Sequence, residues 1–283
     1  MGKYMVDIMK KKIVYKIMVL SNIFKVFVIL LLLILFIFAS VWRRRTLEKL
    51  VDNYDWVNEI DCYVITLKKI ERLRNLEEQQ KKTSIILNLF DAFDGNTLKT
   101  SNYKNDLKMQ GILDEFGEGF LEDEDKRNRE IGCYLSHLNL YKSVRDKMLD
   151  PNYRKKYTIV FEDDIILGDN FMDKLGEGLS ILENKDFDIL YLGNTHLEDW
   201  EPPSSNEQIG NGLYKHQNGN MIGCWAMLIN NKNMDKIISL IERMDKPIDL
   251  RLNELIKNGI LNVYYYEPLI CGNRVDFTST IRD

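Results

Sequence analysis

The chain's 283 residues, 45% hydrophobic and 29% charged, are enough for one large packed domain or two small ones. Residues 1–45 hold nine Lys/Arg and a single Asp, so the formal net charge of −4 leaves −12 on the remainder. An acidic body of that size excludes a nucleic-acid binder and obliges any anionic ligand to meet a local cation or a metal.

From Val26 to Trp42 the stretch "VFVILLLLILFIFASVW" carries no charge. With the preceding "SNIF" it reaches the roughly 20 residues a helix needs to cross a bilayer. A buried core helix would show a polar face, and a cleaved signal peptide has a shorter apolar run. The expected layout is a basic tail (1–22), a single-pass transmembrane anchor (23–42), a stem (43–58) and one domain (59–283). Lys10, Lys11, Lys12, Lys16 and Lys25 are nearly balanced by Arg43, Arg44, Arg45 and Lys49 across the apolar run. Orientation leans to a cytosolic N-terminus, the usual insertion of a first segment.

Past the stem, "DCYVITL" (61–67) is short and β-branched and predicts a strand, and the charged "KKIERLRNLEEQQKKT" behind it predicts a helix. "SIILNLFDAF" is a second apolar stretch, closed by the turn signal Asp94-Gly95-Asn96. Residues 97–130 are polar and acidic, with "EDEDKRNRE" expected as a solvated loop or helix face. "IGCYLSHLNLYKSVRDKML" (131–149) spaces Leu135, Leu138 and Val144 as an amphipathic helix does, and Asp150-Pro151 ends it. "YTIVF" predicts a strand, "NFMDKLGEGLSILEN" a helix and "FDILYLG" (187–193) another strand. Residues 194–220, with "WEPPSSN" at their centre, are expected to be irregular and mobile. "IGCWAMLIN" follows, then a helix from Asn233 to about Met244, and "LNVYYY" is a last strand.

Alternating strands and helices imply an α/β domain with a mainly parallel sheet, covered on both faces and binding ligands outside the strands' carboxyl ends. Cys62, Cys133, Cys224 and Cys271 stand far apart with no C-x-x-C pair. That argues against structural zinc and reads as buried small hydrophobes.

In "IVFEDDIIL" the apolar run breaks at Glu162-Asp163-Asp164, at the carboxyl end of its strand. Carboxylates about 5 Å apart repel by ~3 kcal/mol at an effective dielectric of about 20, and no flanking residue supplies a cation. Three readings follow: a divalent-metal cradle for a diphosphate ligand, a water-exposed strand end, and a helix N-cap.

"YVITLKKIERL" (63–73), "AFDG" (92–95), "EIGCYLSHLNLY" (130–141), "IVFEDDI" (159–165), "FDILYLG", "PIDLRL" (247–252) and "TSTI" (278–281) follow one another in order. Together they resemble glycosyltransferase family 25, which includes lipooligosaccharide and procollagen galactosyltransferases; the most specific is the third, similar to the family's G-E-I-G-C-x-x-S-H. The resemblance implies a GT-A-like nucleotide-diphospho-sugar transferase fold with a mainly parallel central sheet, and E-D-D in the role of a DxD metal motif binding Mn²⁺ (or Mg²⁺). It further implies inverting transfer of a hexose, galactose or glucose, from a UDP-sugar to a glycan or a protein (hydroxylysine-type) acceptor.

On that resemblance Asp164 and Glu162 are the metal ligands, and Asp163 joins Glu162 on the donor. Thr66, Arg72, Asp94, Ser136 and His137 are donor-side residues. Asp249 is the base that takes the acceptor's hydroxyl proton, and residues 194–220, with His196 and Asp199, form an acceptor-side loop. Read alone, Arg72 also suits a solvated helix face, His137 a satisfied core position and Asp249 a helix cap. A helix N-terminus near Gly132 would suit a phosphate. The sequence departs from the family at Thr66 (usually Asn), at Lys68 (often Asp), at Arg129 (Gly) and in "CWAMLIN". The competing expectation is a catalytically degenerate member, a membrane-tethered protein that binds a glycan or another partner.

Overall fold

The computed structural model describes residues 55–83, 85–99, 105, 123–196, 207–217 and 221–274. The expected anchor and most of the stem lie outside these residues, as do Asp199 and the "TSTI" tail. Among the described residues no helix is long and apolar enough to cross a membrane.

In chain order the elements are β1 (Ile60–Thr66), α1 (Ile70–Thr83), β2 (Leu87–Asp91), α2 (Glu124–Met148), β3 (Tyr157–Glu162), β4 (Ile165–Leu167), α3 (Phe171–Leu182) and β5 (Ile189–His196). They continue with β6 (Gln208–Gly210), β7 (Leu213–His216), β8 (Met221–Asn230), α4 (Met234–Ile241), α5 (Ile248–Lys257), β9 (Val263–Tyr266) and β10 (Cys271–Asn273). Among the described residues eight strands make one sheet, in the order β2-β1-β3-β8-β5-β9-β7-β6, and β4 pairs with β10 in a separate ribbon.

Following the pairings across the sheet, six strands run one way and two, β7 and β8, run back. The sheet is therefore mixed. Its direction is mainly parallel, as expected, but β8 lies antiparallel between β3 and β5. A strand buried on both faces reads as the same apolar run in either direction, so "IGCWAMLIN" does not encode its sense.

Strand side chains alternate between two cores, as their period of two requires. Tyr63 and Ile65 of β1 face a core closed by α2, α4 and α5 through Ile131, Leu135, Ile237 and Leu252. Cys62 and Val64 face the opposite core, closed by α1 and α3 through Leu76, Phe171 and Leu175. Each fully buried Ile, Leu or Phe contributes about 1.5–3 kcal/mol to folding.

Three local expectations are corrected. α2 begins at Glu124, not near Ile131, because Asp123 caps it, accepting from the Asp125 and Lys126 N–H groups (2.8 and 3.4 Å). The acidic stretch is the helix's first turns, where carboxylates suit the positive end of the dipole. Gly132 consequently lies inside the helix, and the phosphate seat expected at an N-terminus beside it does not exist. Within 194–220, β5 runs on to His196 and residues 207–217 form the β6–β7 hairpin, leaving 197–206 and 218–220 outside the described residues. The helix expected to reach Met244 stops at Ile241, and α5 follows from Ile248.

Candidate active site

α1 reads as charged along its length, yet Arg72, Asn75, Leu76 and Gln79 are buried. The three polar ones share a face at helical spacing, and that face holds the acidic turn between β3 and β4. Asn75 Nδ2 donates to the Ile165 carbonyl (2.9 Å), and Gln79 Oε1 accepts from the Leu167 N–H (2.9 Å). Arg72 Nη1 lies 3.1 Å from Asp164 Oδ2 and 3.4 Å from Asp163 Oδ1. Thr66 Oγ1, at the end of β1, donates to Asp163 Oδ2 (2.6 Å), and the Arg274 N–H donates to the Asp164 carbonyl (2.7 Å).

The missing cation of the sequence is therefore Arg72, brought in by the fold. It is almost wholly buried, facing the two aspartates, and does not line the cleft. Burial corrects its solvated-face alternative; Asp164, which it holds, is likewise absent from the cleft's lining. Thr66 likewise positions Asp163, a task that an amide donor at that site could share.

One guanidinium does not balance three acids. Burial, then the charge of Glu162, push the Asp164 carboxyl up to about 6 against the pull of Arg72. Asp163 is raised mainly by burial, opposed by Thr66 and Arg72. Asp164 Oδ1 is buried without a hydrogen-bond partner. Because the folded-state pKa of Asp164 lies above its ordinary 3.8, ionising it opposes folding: the stability is full at acid pH and is lost as pH rises through about 6. With metal chelated, Asp164→Asn is thus expected to exceed the parent in stability by up to about 3 kcal/mol above about pH 7, the gap closing near pH 4. Denaturant melts of both proteins across pH check this, and a gap that ignores pH would contradict it.

Beside the turn lies a cleft of ≈ 500 Å³, within the size range of small-ligand sites. Thr66, Asp94, Ser136, His137, Glu162 and Asp163 all line it, so six of the expected site residues converge. Lys69, Phe93, Asn96, Arg129 and Cys133 line it too and were not anticipated as ligand contacts. Lys69 and Arg129 are its cations. Arg129, the departure from the family's glycine, thus faces the candidate site.

Two motifs prove to be one device. Ser136 Oγ accepts from the Phe93 N–H (2.8 Å) and donates to the Gly132 carbonyl (2.7 Å). A Cβ on Gly132 would meet Gly95 N at 2.7 Å and Phe93 O at 2.8 Å; one on Gly95 would meet Asn128 O at 2.1 Å. The glycines let α2 and the 92–95 loop touch backbone to backbone, which sets one wall of the cleft. Asp94 folds its carboxylate into the same turn, accepting from the Asn96 N–H (2.9 Å). Gly132→Ala is expected to lower stability by about 1–3 kcal/mol through overpacking, read as a reduced melting temperature; an unchanged one would refute the close approach.

Asp249 is no helix cap: it lies in the first turn of α5, after the N-cap Pro247. Its Oδ2 accepts from the Gly223 N–H (3.0 Å) and Oδ1 from the Leu250 N–H (2.8 Å). It does not line the cleft, but its charge and that of Glu162 both act on the thiols of Cys133 and Cys224. All four cysteines are free, and all but half-buried Cys133 are buried, as expected of small hydrophobes.

The mixed α/β sheet thus carries its braced acidic turn at a strand's carboxyl end beside a cleft, the place where open α/β sheets bind ligands. The sequence profile described as Glycosyltransferase family 25 (LPS biosynthesis protein) matches residues 59–252, and the chain belongs to that family. It is 28% identical over 160 residues to procollagen galactosyltransferase 2 of Homo sapiens, covering 53% of this chain and 23% of that protein. It is equally identical, 28% over 148 residues, to inactive glycosyltransferase 25 family member 3 of Mus musculus, covering 50% and 23%. The matched part spans under a quarter of these relatives' length. A solved glycosyltransferase involved in the glycosylation of the major capsid of PBCV-1 aligns with a TM-score of 0.39 at 8% identity, covering 78% of this chain and 94% of that one.

Proposed function

We propose that the chain is a GT-A-like, inverting glycosyltransferase that moves a hexose, galactose or glucose, from a UDP-sugar to a glycan or protein acceptor. The observation that carries this is the acidic turn: Glu162, Asp163 and Asp164 are braced by Arg72, Thr66, Asn75 and Gln79 beside the cleft, with Asp164 Oδ1 buried and unpartnered. An all-oxygen donor set with excess negative charge fits Mn²⁺ or Mg²⁺, held by Asp164 and Glu162. When bound, such an ion supplies charge neutralisation for a departing diphosphate. The reading includes a single-pass membrane protein with residues 23–42 as the anchor and its N-terminus in the cytosol.

The chain's own residues supply the rest. Lys69 and Arg129 offer the cleft's positive charge to the donor's phosphates, and the Ser136 clamp fixes the wall formed by Phe93 and Asp94. Transfer forms a bond from the acceptor oxygen to the anomeric carbon and breaks the carbon–oxygen bond to UDP, which leaves with the electron pair. Asp249 takes the acceptor's proton. Asp249→Asn keeps an acceptor oxygen for the Gly223 N–H while removing the base, and is expected to reduce turnover by about 10²–10⁴ with the melting temperature retained. Unchanged turnover in that variant would make Asp249 a purely structural residue.

A second reading, a degenerate member that binds without catalysing, draws on the equal likeness to the inactive mouse relative. It predicts UDP binding without donor breakdown. Assaying UDP release from UDP-galactose and UDP-glucose separates the two, since donor hydrolysis needs no known acceptor.

A further inference from the structure

The imidazole of His137 on α2 is fully buried and has no task in the proposed transfer. Cys133 and His137 lie one helical turn apart on α2 and face Glu162, and the ligating atoms of the three all lie within 4.8 Å of one another. His137 Nδ1 is 3.3 Å from Tyr141 Oη. Its Nε2 has no hydrogen-bond partner and stands 3.7 Å from Glu162 Oε1, too far for a hydrogen bond. The gap is close to the edge of a zinc tetrahedron, where bonds of about 2.0–2.3 Å leave neighbouring donors roughly 3.3–3.7 Å apart.

From this geometry we infer a soft-metal site: Cys133 Sγ, His137 Nε2 and the Glu162 carboxylate hold Zn²⁺ or a cation of its class, with the fourth position open to the cleft. The absence of C-x-x-C removes a closed four-cysteine site only; cysteine and histidine four residues apart on a helix, completed by a strand-end carboxylate, make the open three-ligand kind. In the proposed site Nδ1 carries the imidazole proton and donates it to fully buried Tyr141 Oη, 3.3 Å away, which leaves the Nε2 lone pair for the metal, the partner a ligating histidine requires. Binding displaces the Cys133 thiol proton to solvent and changes no oxidation state. Thiolate and imidazole select Zn²⁺ over Mn²⁺. Because Glu162 serves both sites, Zn²⁺ would antagonise Mn²⁺; that consequence rests on the transferase reading, whereas the site does not.

The test titrates the purified full-length chain, stripped of metal and free of Mn²⁺, with Cd²⁺ and follows the thiolate-to-metal charge-transfer absorbance. A band that saturates at a single equivalent is expected, absent in Cys133→Ser and kept in Cys224→Ser. Tyr141→Phe is expected to weaken Cd²⁺ binding by about 10–100-fold. Should near-ultraviolet circular dichroism show Cys133→Ser misfolded, Glu162→Gln decides: it keeps the thiol and the band, but loses roughly tenfold or more in affinity. No band at one equivalent, a band surviving Cys133→Ser, or an affinity indifferent to Glu162→Gln would each overturn the site. No turnover is measured, so failure here is separable from failure of the transferase reading.

Discussion

Asp164→Ala is expected to reduce Mn²⁺-dependent UDP release by roughly a thousandfold or more, while raising the stability of the metal-free protein. Both effects come from one carboxylate. Asp164 is held mostly buried beside Glu162, its pKa pushed up to about 6, with one oxygen on Arg72 and the other without a hydrogen-bond partner. A group kept charged in such a place opposes folding, and the strain is tolerable where a bound cation relieves it. Loss of activity with gain of stability separates a functional carboxylate from a structural one, whose removal would lower both. Steady-state UDP release and melts in EDTA measure the pair; retained activity would end Asp164's assignment as a metal ligand.

Arg72→Met should produce the largest stability loss at the site, about 3–5 kcal/mol, by leaving two mostly buried carboxylates without their cation. Arg72 is 4% exposed in its side chain, and Asp163 and Asp164 are 17% and 21% exposed, so water screens this group little. The effect should shrink when the repulsion is removed at its source. In the double variant Arg72→Met/Asp164→Asn, the coupling is expected to be about 1–3 kcal/mol, measured by a denaturant double-mutant cycle. Additive losses would mean that Arg72 acts through packing alone.

How far the sequence carried depends on how local each signal is. The acidic triad was legible because an apolar strand broken by three carboxylates is anomalous within nine residues. Its counter-charge was not, because Arg72 sits in a helix crowded with Lys and Glu. There the polar row 72/75/79 is hidden among solvated neighbours, and its partners lie some ninety residues on. The start of α2 could have been read: Asp123 before an acidic first turn is an N-cap signal, obscured by the density of acids around it. The glycine and serine motifs were visible as motifs, yet only the fold reveals that Gly95, Gly132 and Ser136 meet each other. The reversed β8 left no mark, since burial on both faces erases the alternation that would orient it.

Metal-dependent donor chemistry at the braced acidic turn can be measured on the unmodified full-length chain. UDP release from UDP-galactose and from UDP-glucose would be followed with Mn²⁺ and with EDTA. Release from one of the two donors with Mn²⁺, and none with EDTA, is expected. Release that persists in EDTA would contradict the metal's role, and silence with both donors in Mn²⁺ would contradict catalysis itself.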